Sequence, residues 1–214
     1  MNTDQKEIGR KLSPAEEKRL AHYNELRSVM EADGYTCREL TVGIVKANIF
    51  ALLLALPVFA IAFALFILVN RDGNITGISA GSGIVYLVLL IILVFVHEEL
   101  HGITWGIFAP HHMKDIEFGF MKEYLTPYCT CTAPLKKGPY ILGAFMPCLV
   151  LGIIPCIIAI MTGNISLLIL GVIGILTAGG DLMIILMILR YRSKSQDIVW
   201  MDHPTQAGCA VFER

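Results

Sequence analysis

Residues 83–109 read GIVYLVLLIILVFVHEELHGITWGIFA, an apolar run interrupted by one cluster of ionisable side chains. A helix that crosses a bilayer needs about 20 mainly apolar residues, and this run supplies them. The cluster is His97-Glu98-Glu99-Leu100-His101. Each ionisable group near the middle of a membrane costs about 2.5–3.5 kcal/mol on insertion scales. Four such groups together therefore indicate a functional site rather than a chance pattern.

The spacing of the cluster points to a metal site. His97 and His101 are four residues apart, so on a helix they share one face and both imidazoles can reach a single ion. Glu98 follows the first histidine and can hold a water on that ion. This arrangement is the H-E-x-x-H pattern of zinc peptidases, with two ligands and a general base. We expect Glu98 to take the proton of a metal-activated water and pass it to the leaving amine; Glu99 faces elsewhere, as an outer partner of a ligand histidine or in a structural role.

The composition is that of a membrane protein. Of 214 residues, 55% are hydrophobic and 16% are charged, and the mean hydropathy is +0.65; a soluble domain of this length is more polar. The net charge of −1 gives no field that would attract nucleic acid, so no nucleic-acid partner is expected. The six cysteines have no zinc-finger spacing. Cys129 and Cys131 could bind metal or form a redox pair, but we favour two reduced thiols.

Three further apolar runs cover residues 45–69, 140–161 and 165–189, and Pro57 predicts a kink in the first. The predicted fold class is an all-α integral membrane protein with four transmembrane helices. Lysine and arginine concentrate before the first span, between spans two and three, and after the fourth, whereas the other two loops contain only Arg71. By the positive-inside rule both termini are cytoplasmic, and the site opens toward the cytoplasm.

Shorter elements are expected outside the spans. Ser13-Pro14-Ala15-Glu16 reads as a capping box that begins an amphipathic helix, which lies on the membrane or on the folded protein. Residues 35–42 favour a short strand. Residues 116–120 and 128–132 alternate like the strands of a small β-hairpin between spans two and three. Such a hairpin could pair with an extended substrate beside the site, or the segment is a plain cytoplasmic loop.

This pattern predicts three domains or segments. Residues 1–44 form a cytoplasmic N-terminal segment, residues 45–190 a four-helix membrane domain similar to zincins, and residues 191–214 a cytoplasmic tail. Within that tail, Asp202-His203-Pro204 is expected in an exposed loop, with at most a peripheral contact to the site.

A catalytic zinc takes a third protein ligand and keeps one position open for water. Asp181 is the only acidic residue of the fourth span, and small residues before it allow close helix approach. It lies about 16 residues from the outer end of its span and His97 about 14 from the outer end of its own, which is a similar depth. Asp181 is therefore the expected third ligand, with a structural aspartate as the alternative. His111 and His112 are alternative ligands, but they follow Pro110 in the loop and are expected to face water. Asn48 is a candidate to stabilise the oxyanion.

Five segments together carry a family resemblance: His97-Glu98-Glu99-Leu100-His101-Gly102, Thr126-Pro127-Tyr128, Gly143-Ala144-Phe145-Met146-Pro147, Gly179-Gly180-Asp181 and Asp202-His203-Pro204. Through them, over about residues 30–214, the chain resembles the putative zincin peptidases, small prokaryotic membrane proteins distantly similar to site-2 proteases. The resemblance implies a prokaryotic plasma membrane location, Zn²⁺ as cofactor, His97 and His101 as ligands, Glu98 as base and Asp181 as third ligand. Site-2 proteases carry their aspartate in an Asn-Pro or Leu-Asp-Gly context, whereas this chain has Gly-Gly-Asp-Leu.

The sequence thus predicts a zinc-dependent intramembrane endopeptidase. Its expected partners are the lipid bilayer and a membrane protein or peptide substrate that is embedded in or associated with the membrane. Two alternatives from other classes remain open: a membrane protein that binds or transports metal with the same ligands, and a catalytically silent scaffold.

Overall fold

Helices make up most of the residues that the structure describes, and these residues also form two small antiparallel sheets. The computed structural model describes residues 12–73, 75–77, 83–121 and 126–214. The helices are α1 (Pro14–Ala32), α2 (Ile44–Val69), α3 (Gly83–Phe108), α4 (Lys137–Pro147), α5 (Ile154–Thr162), α6 (Ile165–Thr177) and α7 (Gly179–Arg190). The strands are β1 (Thr36–Thr41), β2 (Ile116–Met121), β3 (Thr126–Cys131), β4 (Leu135–Lys136), β5 (Ile198–Asp202) and β6 (Gly208–Glu213). A 3₁₀ turn (His112–Asp115) precedes β2, and a π-helical turn (Cys148–Ile153) joins α4 to α5.

Three helical stretches of the described chain are long and apolar enough to cross a membrane: Val45–Val69, Gly83–Phe108 and Lys137–Thr162. Helix α2 continues through Pro57. The fourth expected span differs, because α6 and α7 meet at a 48° bend and count as one span only as a bent pair. Glycines at both sides of the junction weaken the helix there, and the Thr177 hydroxyl donates to the Gly174 carbonyl. The break places Asp181 in the first turn of a separate helix, α7.

A four-stranded antiparallel sheet in the order β1-β6-β5-β4 joins the two ends of the chain. Strand β1 pairs along its full length with β6, from Thr36 opposite Glu213 to Thr41 opposite Gly208. This sheet corrects the expected all-α fold. It draws β1 from residues 1–44, β4 from residues 45–190 and β5 and β6 from residues 191–214, and so links the three predicted segments, whose division stays a prediction.

Helix α1 packs on this sheet. Of its two expected positions, on the membrane or on the folded protein, the structure shows the second. Ser13 and Glu16 form the capping box that the sequence predicts. Tyr23, on the apolar face of α1, is buried together with Met201 of β5 and Phe212 of β6. The apolar stripe of α1 is therefore covered by protein.

The predicted hairpin is confirmed. Strands β2 and β3 are antiparallel, with Phe118 opposite Cys129, and the turn at residues 122–125 lies outside the described residues. The hairpin lies close against the second half of α3, because a Cβ on Gly102 would be 2.4 Å from Cζ of Phe118. This contact brings β3 alongside the helix that carries the two site histidines.

Two adjacent glycines at the start of α7 give a matched stability test. A Cβ on Gly179 would lie 2.2 Å from Cβ and 2.7 Å from Cα of Ala51 on α2, whereas a Cβ on Gly180 meets no atom within 4 Å. We expect Gly179→Ala to lower the free energy of unfolding by about 1–3 kcal/mol, because overpacking forces the two helices apart. Gly180→Ala should not destabilise the protein. Thermal unfolding in detergent checks this, and equal melting temperatures for the two variants would contradict the close packing of α2 and α7.

Candidate metal centre

His97 and His101 lie on one buried face of α3, one helical turn apart. They are 8% and 4% exposed, and their ring centroids are 4.9 Å apart in an edge-to-face arrangement. The two Nε2 atoms approach each other to 3.2 Å. The helical spacing of four residues thus places one nitrogen of each imidazole close enough to the other for both to bind one ion.

Asp181 meets these nitrogens from α7. Its Oδ2 atom lies 3.2 Å from Nε2 of His97 and 3.5 Å from Nε2 of His101, and its side chain is 24% exposed. Its place in the first turn of α7 suits a carboxylate, because the N-terminal end of a helix favours negative charge. The helix break at Ala178 and the close approach of Gly179 to α2 fix this turn against α2, and Asp181 reaches α3 from there.

The three converging atoms fit a zinc ion. In tetrahedral coordination, bond lengths of about 2.0–2.2 Å place neighbouring ligand atoms about 3.3–3.6 Å apart. The three distances here are 3.2, 3.2 and 3.5 Å. Two imidazole nitrogens and one carboxylate oxygen are also a donor set of catalytic zinc sites. Among the described residues, His97, His101 and Asp181 are the group of potential ligands close enough together to hold a metal ion.

A hydrogen bond at the other ring nitrogen, Nδ1, fixes the orientation of His101. Its Nδ1 donates to the Gly143 carbonyl at 2.9 Å, so Nε2 carries the lone pair. The ring also stacks on Trp105, with centroids 5.0 Å apart and planes at 14°. Only glycine fits at position 143, because a Cβ would lie 2.1 Å from Cδ1 of Trp105. Nδ1 of His97 is buried and has no hydrogen-bond partner within the described part of the chain.

Glu98 lines the same cavity from α3. Its carboxylate accepts a hydrogen bond from the backbone N–H of Cys129 on β3. The neighbouring Glu99 is exposed. The hairpin therefore holds the first glutamate of the cluster beside the two histidines, and leaves the second one free to face outward.

The cavity has a volume of about 630 Å³, within the usual range of small-molecule and peptide sites. Its walls come from distant parts of the chain: Arg19 of α1, Ala47 of α2, Tyr128 of β3 and Asp202 of β5 contribute together with the residues above. Arg19 is 8% exposed, donates to Tyr128 and to the Pro204 carbonyl, and lies over the Tyr128 ring. Helix α1, the hairpin and the C-terminal loop thus meet at one wall of the cavity.

Three further candidates from the sequence do not line the cavity. His111 is 74% exposed and pairs with Asp115, and Nδ1 of His112 contacts the Gly106 carbonyl. Asn48 is exposed and does not line the cavity, although its neighbour Ala47 does. Exposure of His111 and His112 fits the expectation that they face water, whereas Asn48 is wrong as a candidate to stabilise the oxyanion.

Cys129 and Cys131 are free thiols on β3. Burial raises the pKa of both, that of Cys131 to about 12. Each thiol therefore stays protonated at neutral pH, and a protonated thiol is a poor ligand and a poor nucleophile. The structure agrees with two reduced thiols.

Asp202 was expected in an exposed tail loop, and this prediction is wrong. It ends β5 and lines the cavity, and its carboxylate accepts hydrogen bonds from the Tyr140 hydroxyl and from the Cys131 N–H. Asp202-His203-Pro204 is one of the five segments that carry the family resemblance, and this was the signal that could have found it. Trp105 and Tyr140 had no such signal, because aromatic residues are common in apolar helices.

His203, beside Asp202, makes the C-terminal loop sensitive to pH. Its Nδ1 accepts the backbone N–H groups of Thr205 and Gln206 at 3.3 and 3.0 Å, so this nitrogen is unprotonated. Burial lowers the pKa of His203, and Glu39 only partly opposes that shift. The unfolded chain therefore takes up this proton at a higher pH than the folded protein does, and stability falls as the pH drops below about 6.5.

We expect His203→Asn to reduce this loss. An asparagine oxygen can accept the same two N–H groups but does not titrate. Between about pH 7.5 and pH 5, the melting temperature of wild type should fall more than that of the variant. Melting curves in detergent across this range measure the difference, and parallel pH profiles would show that His203 does not titrate on unfolding.

Comparison with known proteins adds the family. A family model described as "Putative zincin peptidase" matches residues 90–196, half of the chain. The chain belongs to this family. The matched residues of the zincin peptidase model include His97, Glu98, His101 and Asp181, and the family supports a metallopeptidase. Searches of curated proteins and of solved structures find no match.

Proposed function

We propose that the protein is a zinc-dependent intramembrane endopeptidase. One observation carries this proposal: Nε2 of His97, Nε2 of His101 and Oδ2 of Asp181 converge to within 3.5 Å at a cavity that Glu98 also lines. Two candidate membrane-spanning segments contribute these groups, α3 and the α6–α7 pair. Ionisable groups at such depth are costly, and a divalent cation between them offsets that cost.

His97, His101 and Asp181 would hold the zinc ion in this proposal. When bound, zinc lowers the pKa of a water toward 7 and polarises the peptide carbonyl. Glu98 is the general base: its carboxylate accepts the proton of the attacking water and returns it to the leaving amine. The Cys129 N–H holds the Glu98 carboxylate at the cavity wall during this exchange.

The apolar helices support a place within the membrane. In α2 and α3 the large apolar side chains are exposed along most of the length, for example Leu53 at 62% and Ile84 at 78%, as lipid contact would require. The four-stranded sheet adjoins three helix ends along the chain: the start of α2, the start of α4 and the end of α7. The hairpin follows the end of α3. This end carries most of the lysine and arginine, so we assign it and both termini to the cytoplasm.

The substrate we propose is a peptide segment unwound from a membrane protein, because the peptide bonds of an intact helix are shielded. The hairpin was expected to add such a segment as an extra strand. The outer edge of β3 has little to offer it, since the N–H groups of Cys129 and Cys131 already donate to Glu98 and Asp202, and Pro127 has none. Carbonyl groups of β3 and the cavity walls are then the main contacts for a substrate backbone.

Metal analysis combined with a cleavage assay tests the proposal. We expect purified wild type to hold about one zinc ion per chain and to cleave a synthetic transmembrane peptide in liposomes. Removal of zinc by a chelator should stop cleavage, and added zinc should restore it. Zinc without cleavage would favour a metal-binding or transport protein, and a chain without zinc would favour a silent scaffold; either result would contradict the peptidase.

A further inference from the structure

The carboxylate of Asp202 receives hydrogen bonds from two separate walls of the cavity. Its Oδ1 accepts the Tyr140 hydroxyl of α4, and its Oδ2 accepts the Cys131 N–H of β3 at 2.8 Å. The Thr130 hydroxyl of β3 donates to it as well. The three groups named here, two hydroxyls and one backbone N–H, can each donate to a carboxylate oxygen.

The contacts with β3 lead to Glu98. Cys129 and Cys131 are two residues apart on the strand, so both N–H groups point away from β2, on the outer edge. The Cys131 N–H donates to Asp202, and the Cys129 N–H donates to Glu98. A displacement of this short stretch of β3 would therefore move the hydrogen-bond donor of Glu98.

The contact with α4 leads to His101. The Tyr140 carbonyl accepts the indole N–H of Trp105 at 3.0 Å, and Trp105 stacks on the His101 ring. One turn along α4, the Gly143 carbonyl accepts Nδ1 of His101. The same helix that Asp202 anchors through Tyr140 therefore determines the orientation of this imidazole.

We propose that Asp202 is a positioning residue that fixes Glu98 and His101 relative to each other. It ties β3, which holds the base, to α4, which orients one proposed zinc ligand, and it does so from the C-terminal sheet, outside the residues matched by the family model. The hydrogen bonds of Asp202 go to β3 and α4, and not to the proposed ligand atoms or to Glu98. The inference rests on the proposed function for the roles of Glu98 and His101.

The test compares Asp202→Asn with two variants that remove one connection each. In Asp202→Asn the amide NH₂ faces a donor, so one connection is broken while the side-chain volume is kept. Thr130→Val removes a contact with β3, and Tyr140→Phe removes the contact with α4. Outer partners of metal sites change affinity or activity by about 10- to 100-fold when they are lost.

We expect separable effects. Thr130→Val should lower kcat for peptide cleavage with zinc affinity unchanged, and Tyr140→Phe should weaken zinc affinity, measured by competition with a chelator. Asp202→Asn should do both, by about 10-fold or more in at least one quantity, with KM changed less than about threefold. Asp197→Asn is the matched control, because Asp197 lies at the same sheet but pairs with Tyr35 and Lys136, away from the cavity.

Several outcomes would overturn the inference. An Asp202→Asn variant with the kcat and the zinc affinity of wild type would by itself overturn the inference, provided that wild type binds zinc and cleaves peptide. If Asp202→Asn fails to fold, the single-connection variants decide, and equal losses of kcat, zinc affinity and melting temperature in both would show a merely structural role. Wild type that neither binds zinc nor cleaves would overturn the proposed function itself, which is a distinguishable result. The zinc competition does not depend on activity.

Discussion

Glu98→Gln should lower kcat for peptide cleavage by about 100- to 10,000-fold, the usual contribution of general acid–base catalysis. Glutamine keeps the size of the side chain and can still accept the Cys129 N–H, but it cannot take a proton from water. Zinc content should stay at the wild-type level, because His97, His101 and Asp181 are unchanged. The measurements are single-turnover cleavage in liposomes and zinc per chain.

Glu99→Gln is the control for this experiment. It makes the same chemical change one residue along α3, on a side chain that is exposed and does not line the cavity. We expect Glu99→Gln to cleave at the wild-type rate. A Glu98→Gln variant that cleaves as fast as Glu99→Gln would rule out Glu98 as the base, and would leave the metal-binding alternative in place of the peptidase.

Asp181→Asn is expected to weaken zinc binding by about 100-fold and to remove cleavage activity at limiting zinc. A four-ligand zinc site is worth about 10–16 kcal/mol, so that one ligand contributes roughly 3 kcal/mol, or about two powers of ten in Kd. The carboxylate oxygen lies 3.2 and 3.5 Å from the two imidazole nitrogens. At this place asparagine would offer a zinc ion only a neutral and weaker ligand. Zinc titration against a chelator of known affinity measures the change.

The alternative for Asp181 is a structural role in the bend between α6 and α7. That role predicts a loss of melting temperature without a loss of zinc affinity. Asp33→Asn, an exposed aspartate at the end of α1, gives the baseline for removing one carboxylate far from the cavity. Wild-type zinc affinity in Asp181→Asn would remove Asp181 as a required ligand.

Much of the candidate site could be predicted because its chemistry is local in sequence. The four-residue spacing of His97 and His101 fixes a shared helix face, and ionisable groups in an apolar run stand out by their cost. Asp181 was distinguished in the same way, as the only acidic residue of its span. The structure brings these three side chains together, while their role as ligands stays a prediction.

Asp202 shows why the rest could not be predicted. Its place depends on the pairing of β5 with β6, and the place of that sheet depends on the pairing of β6 with β1, whose residues are separated by most of the chain. Local alternation can indicate a strand, as it does for β1 within residues 35–42, but it does not indicate which distant strand will pair with it. The prediction for Asn48 was wrong for a related reason. Sequence gives the depth of a residue in a span, but the packing of α2 against α7 decides which face of α2 meets the cavity.

The sequence by itself determined the apolar helices, the hairpin, the capped first helix and the residues with the chemistry of a zinc peptidase, because all of these follow from periodicity over a few neighbouring residues. Tertiary structure alone decided that the two ends of the chain share a sheet, that α6 and α7 separate before Asp181, and that Asp202 links the walls of the cavity. These features depend on contacts between segments far apart in the chain, and the free energy of such contacts comes from packing and hydrogen bonds that no local pattern specifies.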